Sequence, residues 1–102
     1  MKHIILICAA GMSTSLLVNK MKTAASEEGK EVHIEAMSAN IFATYQEPVD
    51  ILLLGPQISF LEEEMKTTYE PKGIKVAVID MKDYGMMNGK KVLADAYQMI
   101  GE

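Results

Sequence analysis

Arginine is missing from this chain; all ten basic residues are lysine. A guanidinium fork, the usual bidentate clamp for phosphate, is therefore unavailable to any site the protein builds from its own side chains. Tryptophan is absent too, and with two Phe and four Tyr there is little aromatic surface to hold a flavin ring. The single cysteine excludes an internal disulfide and a structural zinc site made of four cysteines. Basic residues are outnumbered by acidic ones, and the net charge of −4 argues against a nucleic-acid-binding face, which needs basic patches. No apolar run approaches the roughly 18 residues required to span a bilayer. The apolar stretch before Gly11 is too short for an export signal, and Ile7 is large where a lipoprotein signal wants a small residue before its cysteine. The expected location is the cytoplasm, with Cys8 reduced.

What is present is ordinary globular material: 49% apolar and 24% charged residues over 102 positions. That length implies one domain, residues 1–102. A chain of this size buries about two-thirds of its unfolded surface, enough for a core without metals or disulfides. Multi-domain synthetases and transporters are excluded by length.

The apolar pattern alternates between two periods. The run from His3 to Ile7 reads as a strand buried on both faces. Leu17, Val18, Met21, Ala24 and Ala25 then recur at helical spacing, and Gly29 closes that helix. Val32 to Met37 alternates like a strand nearer an edge. Ser38 or Asn40 can cap a short helix over Ile41 to Tyr45. Val49 to Leu54 is a further buried strand, ended by Gly55-Pro56. Ile58, Leu61, Met65 and Tyr69 share a helical face, broken at Pro71 and Gly73. Lys75 to Ile79 is the fourth strand, and Asn88 can cap a last helix carrying Val92, Leu93, Ala96, Met99 and Ile100 inward. Strand and helix in strict alternation predict an α/β fold, a four-stranded parallel sheet with helices on both faces. Right-handed crossovers favour the strand order 2-1-3-4, a flavodoxin-like arrangement.

In such a sheet, ligands bind beyond the carboxyl ends of the strands, at the switch between strands one and three. The residues leaving the strands there are Cys8, Ser38 to Asn40, Gly55 to Gln57, and Asp80 to Tyr84. Cys8 thus ends the first strand immediately before a helix expected to start near Ser13 or Thr14. Ala9, Ala10, Gly11, Met12, Ser13, Thr14 and Ser15 are small apart from Met12. Such residues let successive backbone N–H groups turn inward, and the positive end of the helix adds to them. An anion can be held this way with no basic side chain, the Ser and Thr hydroxyls adding donors. The same dipoles favour a thiolate at Cys8, placed to accept a phosphoryl group while the amides stabilise its oxygens. The alternative for Cys8 is a small buried hydrophobe at a strand end.

The run Ile-Cys-Ala-Ala-Gly-Met-Ser-Thr-Ser-Leu-Leu from Ile7, Leu-Leu-Gly-Pro-Gln-Ile at 53–58 and Asp-Tyr-Gly at 83–85 resemble enzyme IIB of the bacterial sugar phosphotransferase system, lactose/cellobiose type, along the whole chain. The resemblance implies that Cys8 becomes phosphocysteine. It would take phosphate from a phosphohistidine of the IIA component and pass it to a sugar held by the membrane component IIC. It also implies that residues 9–15 cradle the phosphate, that Gln57 and Tyr84 lie at the periphery, and that no metal or other cofactor is needed. The protein would then be a cytoplasmic phosphotransferase subunit reaching the inner face of the membrane through IIC; a monomer is the expected state, though the sequence itself does not reveal it.

The loop also resembles that of low-molecular-weight tyrosine phosphatases, which place an arginine where this chain has Thr14. Asp80 or Asp83 can supply a phosphatase's acid, but nothing replaces the guanidinium. A small phosphatase and a non-catalytic flavodoxin-like regulatory domain are the alternatives to a carrier. His3 lies at the opposite end of the first strand, roughly 16 Å from Cys8 at about 3.3 Å per residue, and His33 likewise opens its strand, which excludes a cysteine–histidine nucleophile pair. Glu62-Glu63-Glu64 reads as a solvated first helical turn favoured by the helix dipole. Met12, Met86 and Met87 are expected to form an apolar rim around Cys8 that suits partner docking.

Overall fold

The computed structural model describes residues 1–8 and 11–101, with the backbone only for residues 11–13. The strands are β1 (Lys2–Ile7), β2 (Val32–Met37), β3 (Ile51–Leu54) and β4 (Lys75–Val78). All three pairings are parallel, and the order is β2-β1-β3-β4, as expected. The central strands are buried on both faces: Ile4 through Ile7 and Ile51, Leu52 and Leu54 are fully or almost fully enclosed. Their neighbours at the edges bury only every second or third residue. This is why the sequence of β1 and β3 runs apolar without interruption while β2 alternates.

Successive side chains of a strand point to opposite faces, so the core splits in two. On one face Ile4, Leu6, Ile34, Ile51 and Leu53 meet α1 (Gly11–Glu27) and α5 (Gly89–Met99). On the other, Ile5, Ile7, Leu52, Leu54 and Val76 meet α2 (Ala39–Phe42) and α3 (Glu62–Tyr69). The short α4 (Met81–Gly85) follows β4. Each fully buried Ile or Leu of this kind stabilises the fold by about 1.5–3 kcal/mol through removal from water.

Local signals set the ends of the elements. Helix α1 closes with Gly29 at φ 68°, while Lys30 N–H bonds Ala25 C=O and Gly29 N–H bonds Ser26 C=O, the paired terminal bonds that a left-handed glycine permits. Ser38, one of the two expected caps, accepts from Ile41 N–H and opens α2, which ends at Phe42, short of the expected Tyr45. Asn88 caps α5 as expected. Gly89 is required by close approach: a Cβ there would lie 2.6 Å from the α1 backbone at Lys20 and Met21, so α5 crosses directly on α1.

Three expectations shift. The face from Ile58 to Tyr69 is not one helix: Pro56–Leu61 is a 3-10 segment kinked at Ile58 (φ −120°), and the α-helix starts only at Glu62. Pro56 presets the first turn but the extended Gly55 before it carries no side chain to cap an α-helix there. Strand β4 ends at Val78, although Ile79 N–H still bonds Leu54 C=O. Helix α1 starts at Gly11, two to three residues earlier than the hydroxyl residues suggest.

Candidate functional site

Cys8 continues β1 by one residue, its N–H bonding Met37 C=O at 3.2 Å. It retains 6% exposure. Two residues later in the chain than Ala9 and with Ala10 between, α1 begins. Ala9 and Ala10 themselves lie outside the described residues, as do the side chains of Gly11, Met12 and Ser13. The early start of α1 puts the N–H groups of its first turn, which have no intrahelical carbonyl, only three residues after Cys8. The positive end of a 17-residue helix therefore faces the exit of the strand that carries the thiol.

The next strand over contributes from β3. Gly55 N–H bonds Ile7 C=O at 3.0 Å, beside Cys8. A Cβ on Gly55 would sit 3.1 Å from Gln57 Oε1, 3.7 Å from Ile7 C=O and 3.9 Å from Tyr84 Cε2. Gln57 and the Tyr84 ring thus converge on the backbone next to the cysteine, and glycine at 55 leaves room for both. Gln57 and Tyr84 come from elements that follow different strands, and only the sheet order 2-1-3-4 brings them to the end of β1.

Thr14, the fourth residue of α1, is the buried polar residue of the described chain at 1% exposure. Its Oγ1 lies 3.2 Å from the Tyr84 hydroxyl. Ser15 points to the surface. The position where a phosphatase carries arginine is therefore filled by a buried, neutral hydroxyl tied to a second hydroxyl.

The two aspartates offered as acids are engaged elsewhere. Asp80 Oδ1 accepts from Lys82 N–H at 2.9 Å and Asp83 N–H at 3.2 Å, capping α4. Asp83 faces Lys91 Nζ at 3.5 Å, and Lys91 is also held by Asp95 at 2.8 Å. This pairing, led by the bond to Asp95, raises the Lys91 pKa. The sequence pattern does not predict α4; its signal is Asp80 itself, an acidic cap ahead of a five-residue turn.

Several large apolar side chains are exposed in the segments that follow the strands: Leu16 on α1, Ile41 on α2, Phe60 on the 3-10 segment, and Met81 and Met86 at α4. Each belongs to the first segment after a strand. Of the expected methionine rim, Met86 faces out, whereas Met87 packs against the core on the α1 side, turned inward by its left-handed backbone (φ 53°). Phe60, 77% exposed, is the largest apolar side chain the sequence reading missed.

The chain matches the family described as the lactose/cellobiose-specific IIB subunit of the phosphotransferase system over residues 3–95. It belongs to that family. It is 50% identical to the galactose-specific EIIB component of Lactococcus lactis subsp. cremoris over 97% of this chain and 96% of the relative. It is 49% identical to the cellobiose-specific EIIB component of L. lactis subsp. lactis with the same coverage. A lactose-specific EIICB component of Streptococcus mutans is 31% identical over 90% of this chain, which corresponds to 16% of that longer protein. Among solved structures, the cellobiose-specific IIB component of Borrelia burgdorferi superposes with a TM-score of 0.74 at 34% identity, covering 96% and 93% of the two chains. The lactose-specific IIB domain of Streptococcus pneumoniae reaches 0.84 at 19% identity over 95% of each chain. A YwlE mutant from Bacillus subtilis, at 0.53 and 12% over 98% and 94%, shares the fold alone. IIB components are phosphotransferase subunits that work with IIA and IIC. No helix among the described residues is long and apolar enough to cross a membrane.

Proposed function

We propose that this IIB chain is a single-domain phosphoryl carrier, residues 1–102, with Cys8 as its nucleophile. The observation that carries the reading is the placement of the one cysteine at the end of β1, three residues ahead of the N-terminus of α1. In the first step Cys8 Sγ attacks the phosphorus of a phosphohistidine on IIA in line. The S–P bond forms, the N–P bond breaks, and the histidine nitrogen leaves to be reprotonated from water. In the second step a hydroxyl oxygen of a sugar held by IIC attacks phosphorus. The O–P bond forms, the S–P bond breaks, and the sulfur leaves as thiolate. The hydroxyl proton goes to a base on the membrane partner.

Backbone amides of residues 9–15 and the positive end of α1 stabilise the phosphoryl oxygens, where charge develops during transfer. Ser13, Thr14 and Ser15 hydroxyls add donors, and Gln57 and Tyr84 border the site. With no arginine in the chain, water gains no guanidinium-stabilised route to the phosphocysteine, which waits for the sugar. The apolar side chains at this end of the sheet exclude water from the transfer and seat the partners. The substrate is a sugar of the lactose, galactose or cellobiose kind, after the relatives. The carrier is monomeric and cytoplasmic and meets the membrane through IIC, the arrangement that the fused EIICB relative supports.

The test is intact-protein and peptide mass spectrometry after incubation with phosphorylated IIA. One phosphate on Cys8 is expected, acid-stable relative to phosphohistidine and absent from Cys8→Ser. Labelling on any other residue, or none, overturns the reading.

A further inference from the structure

Thr14 and Tyr84 are 70 residues apart in sequence and meet through their hydroxyls at 3.2 Å. Exposures of 1% and 7% shut the pair off from water. A phenol is a stronger acid than an aliphatic alcohol and so the better donor, while the alcohol oxygen is the better acceptor. The favoured polarity has Tyr84 O–H donating to Thr14 Oγ1, which leaves the Thr14 hydrogen directed at another acceptor. Thr14 belongs to the first turn of α1, the turn whose amides face an anion at that terminus. Tyr84 is itself held from behind: its N–H bonds Asp80 C=O at 2.9 Å, Asp80 caps the same short helix, and the ring lies against Gly55.

We infer that Tyr84 is a positioning residue for phosphoryl transfer: by donating to Thr14 Oγ1 it keeps the Thr14 hydroxyl hydrogen available to the phosphoryl oxygens carried on Cys8. The inference rests on the phosphocysteine reading above. It makes α4, an element on the far side of β3 from Cys8 in chain order, part of the machinery of transfer. It also gives a chemical reason for a threonine at the position of the phosphatase arginine: one oriented neutral donor in place of a cationic fork.

The experiment is a double-mutant cycle on Tyr84→Phe and Thr14→Val, read as the rate of Cys8 phosphorylation by phosphorylated IIA and as the ³¹P chemical shift of the S-phosphoryl group. Tyr84→Phe removes only the hydroxyl and is expected to slow phosphorylation about tenfold, the scale of one lost transition-state hydrogen bond. Thr14→Val is expected to slow it at least as much. In the Thr14→Val background, Tyr84→Phe should have no further effect on rate or chemical shift, because the phenol acts only through Thr14. Thr14→Ser, which keeps the hydroxyl and is the safer variant for folding, should restore the tenfold sensitivity to Tyr84→Phe. Multiplying effects of the two substitutions, or a Tyr84→Phe rate within twofold of the unaltered protein, would overturn the inference. If the unaltered protein carries no phosphate on Cys8, the phosphocysteine reading itself falls, and that outcome is distinct because it precedes any variant.

Discussion

At the start of β1 and β2, His3 and His33 stand opposite one another in register, their ring centroids 5.9 Å apart. Each faces a carboxylate. His3 Nδ1 is 3.6 Å from Asp50, whose Oδ2 also accepts from His3 N–H at 2.7 Å, and His33 Nε2 is 3.2 Å from Glu35. They border a cleft of about 340 Å³ that Tyr45 and Glu47 also line; burial first, then Glu35 and Glu47, raises the Tyr45 pKa. At the other end of the same strands, Cys8 is followed within three residues by the first turn of α1, Gln57 and the Tyr84 ring meet at Gly55 beside Ile7, and Tyr84 bonds Thr14 through a pair of neutral hydroxyls. One end has the side chains usually associated with proton and phosphoryl chemistry, each already paired. The other has a thiol and dipoles. The difference teaches that the site's electrostatics come from where a helix begins, while the charged groups that follow β4, Asp80 and Asp83, are taken up in capping α4 and in pairing with Lys91.

The largest test of that contrast exchanges the ends. If phosphate is carried at the strand exit, His3→Ala/His33→Ala should accept phosphate from IIA at the unaltered rate, within about twofold, and the product should keep the stability of a thiophosphate ester in acid. Cys8→Ser should fall to background. An acid-labile label that disappears with the double histidine variant would place the chemistry at the wrong end of the sheet and break the comparison outright.

A smaller effect is expected from the apolar side chains. Phe60 is exposed in the segment that follows β3, so Phe60→Glu should leave thermal stability unchanged while raising KM for phosphorylated IIA by roughly tenfold, about 1.4 kcal/mol of docking energy. Met12→Glu should slow transfer in the same sense. Equal KM values for Phe60→Glu and the unaltered protein would mean that the partner docks elsewhere.

The converse holds at the start of the strands, where substitutions should cost stability and not transfer. Asp50→Ala deprives the part-buried His3 N–H of its 2.7 Å acceptor. The expected cost is about 1–2 kcal/mol, read as a midpoint lowered by roughly 5–10 °C in thermal unfolding, with phosphorylation of Cys8 unaltered. A slowed transfer at full stability would show that the two ends are coupled.

The same contrast explains what the sequence reveals and what it conceals. β1 and β3 are legible because strands covered on both faces must be apolar at every position, and the strand order follows from crossover handedness. The place of Cys8 follows from those two facts. The Thr14–Tyr84 bond does not: Thr14 reads as a donor of the loop and Tyr84 as a residue of the periphery, and only tertiary packing sets residues 70 apart at 3.2 Å. Helix α4 is too short for a period to show in five residues, and its acidic cap, Asp80, reads equally well as a catalytic acid. Phe60 escapes because a 3-10 segment does not keep the 3.6-residue spacing that assigns faces. The carboxylate partners of the two histidines, Asp50 from the approach to β3 and Glu35 two residues along β2, are not apparent from the strand pattern alone.

The smallest effect belongs to His33. Its ring and the Glu35 carboxylate are both more than 40% exposed, so water screens the pair and the gain from charge is at most a few tenths of a kcal/mol. His33→Gln keeps a donor for Glu35 Oε1 and the bulk beside His3. It should therefore move the unfolding midpoint by less than about 3 °C and leave phosphorylation unaltered. Asp50→Ala, by contrast, removes an acceptor from a backbone N–H in the sheet. A His33→Gln loss as large as that of Asp50→Ala would mean that the His33–Glu35 pair, and not the Asp50–backbone bond, holds the start of the strands together, and the cleft there would have to be treated as a built structure in its own right.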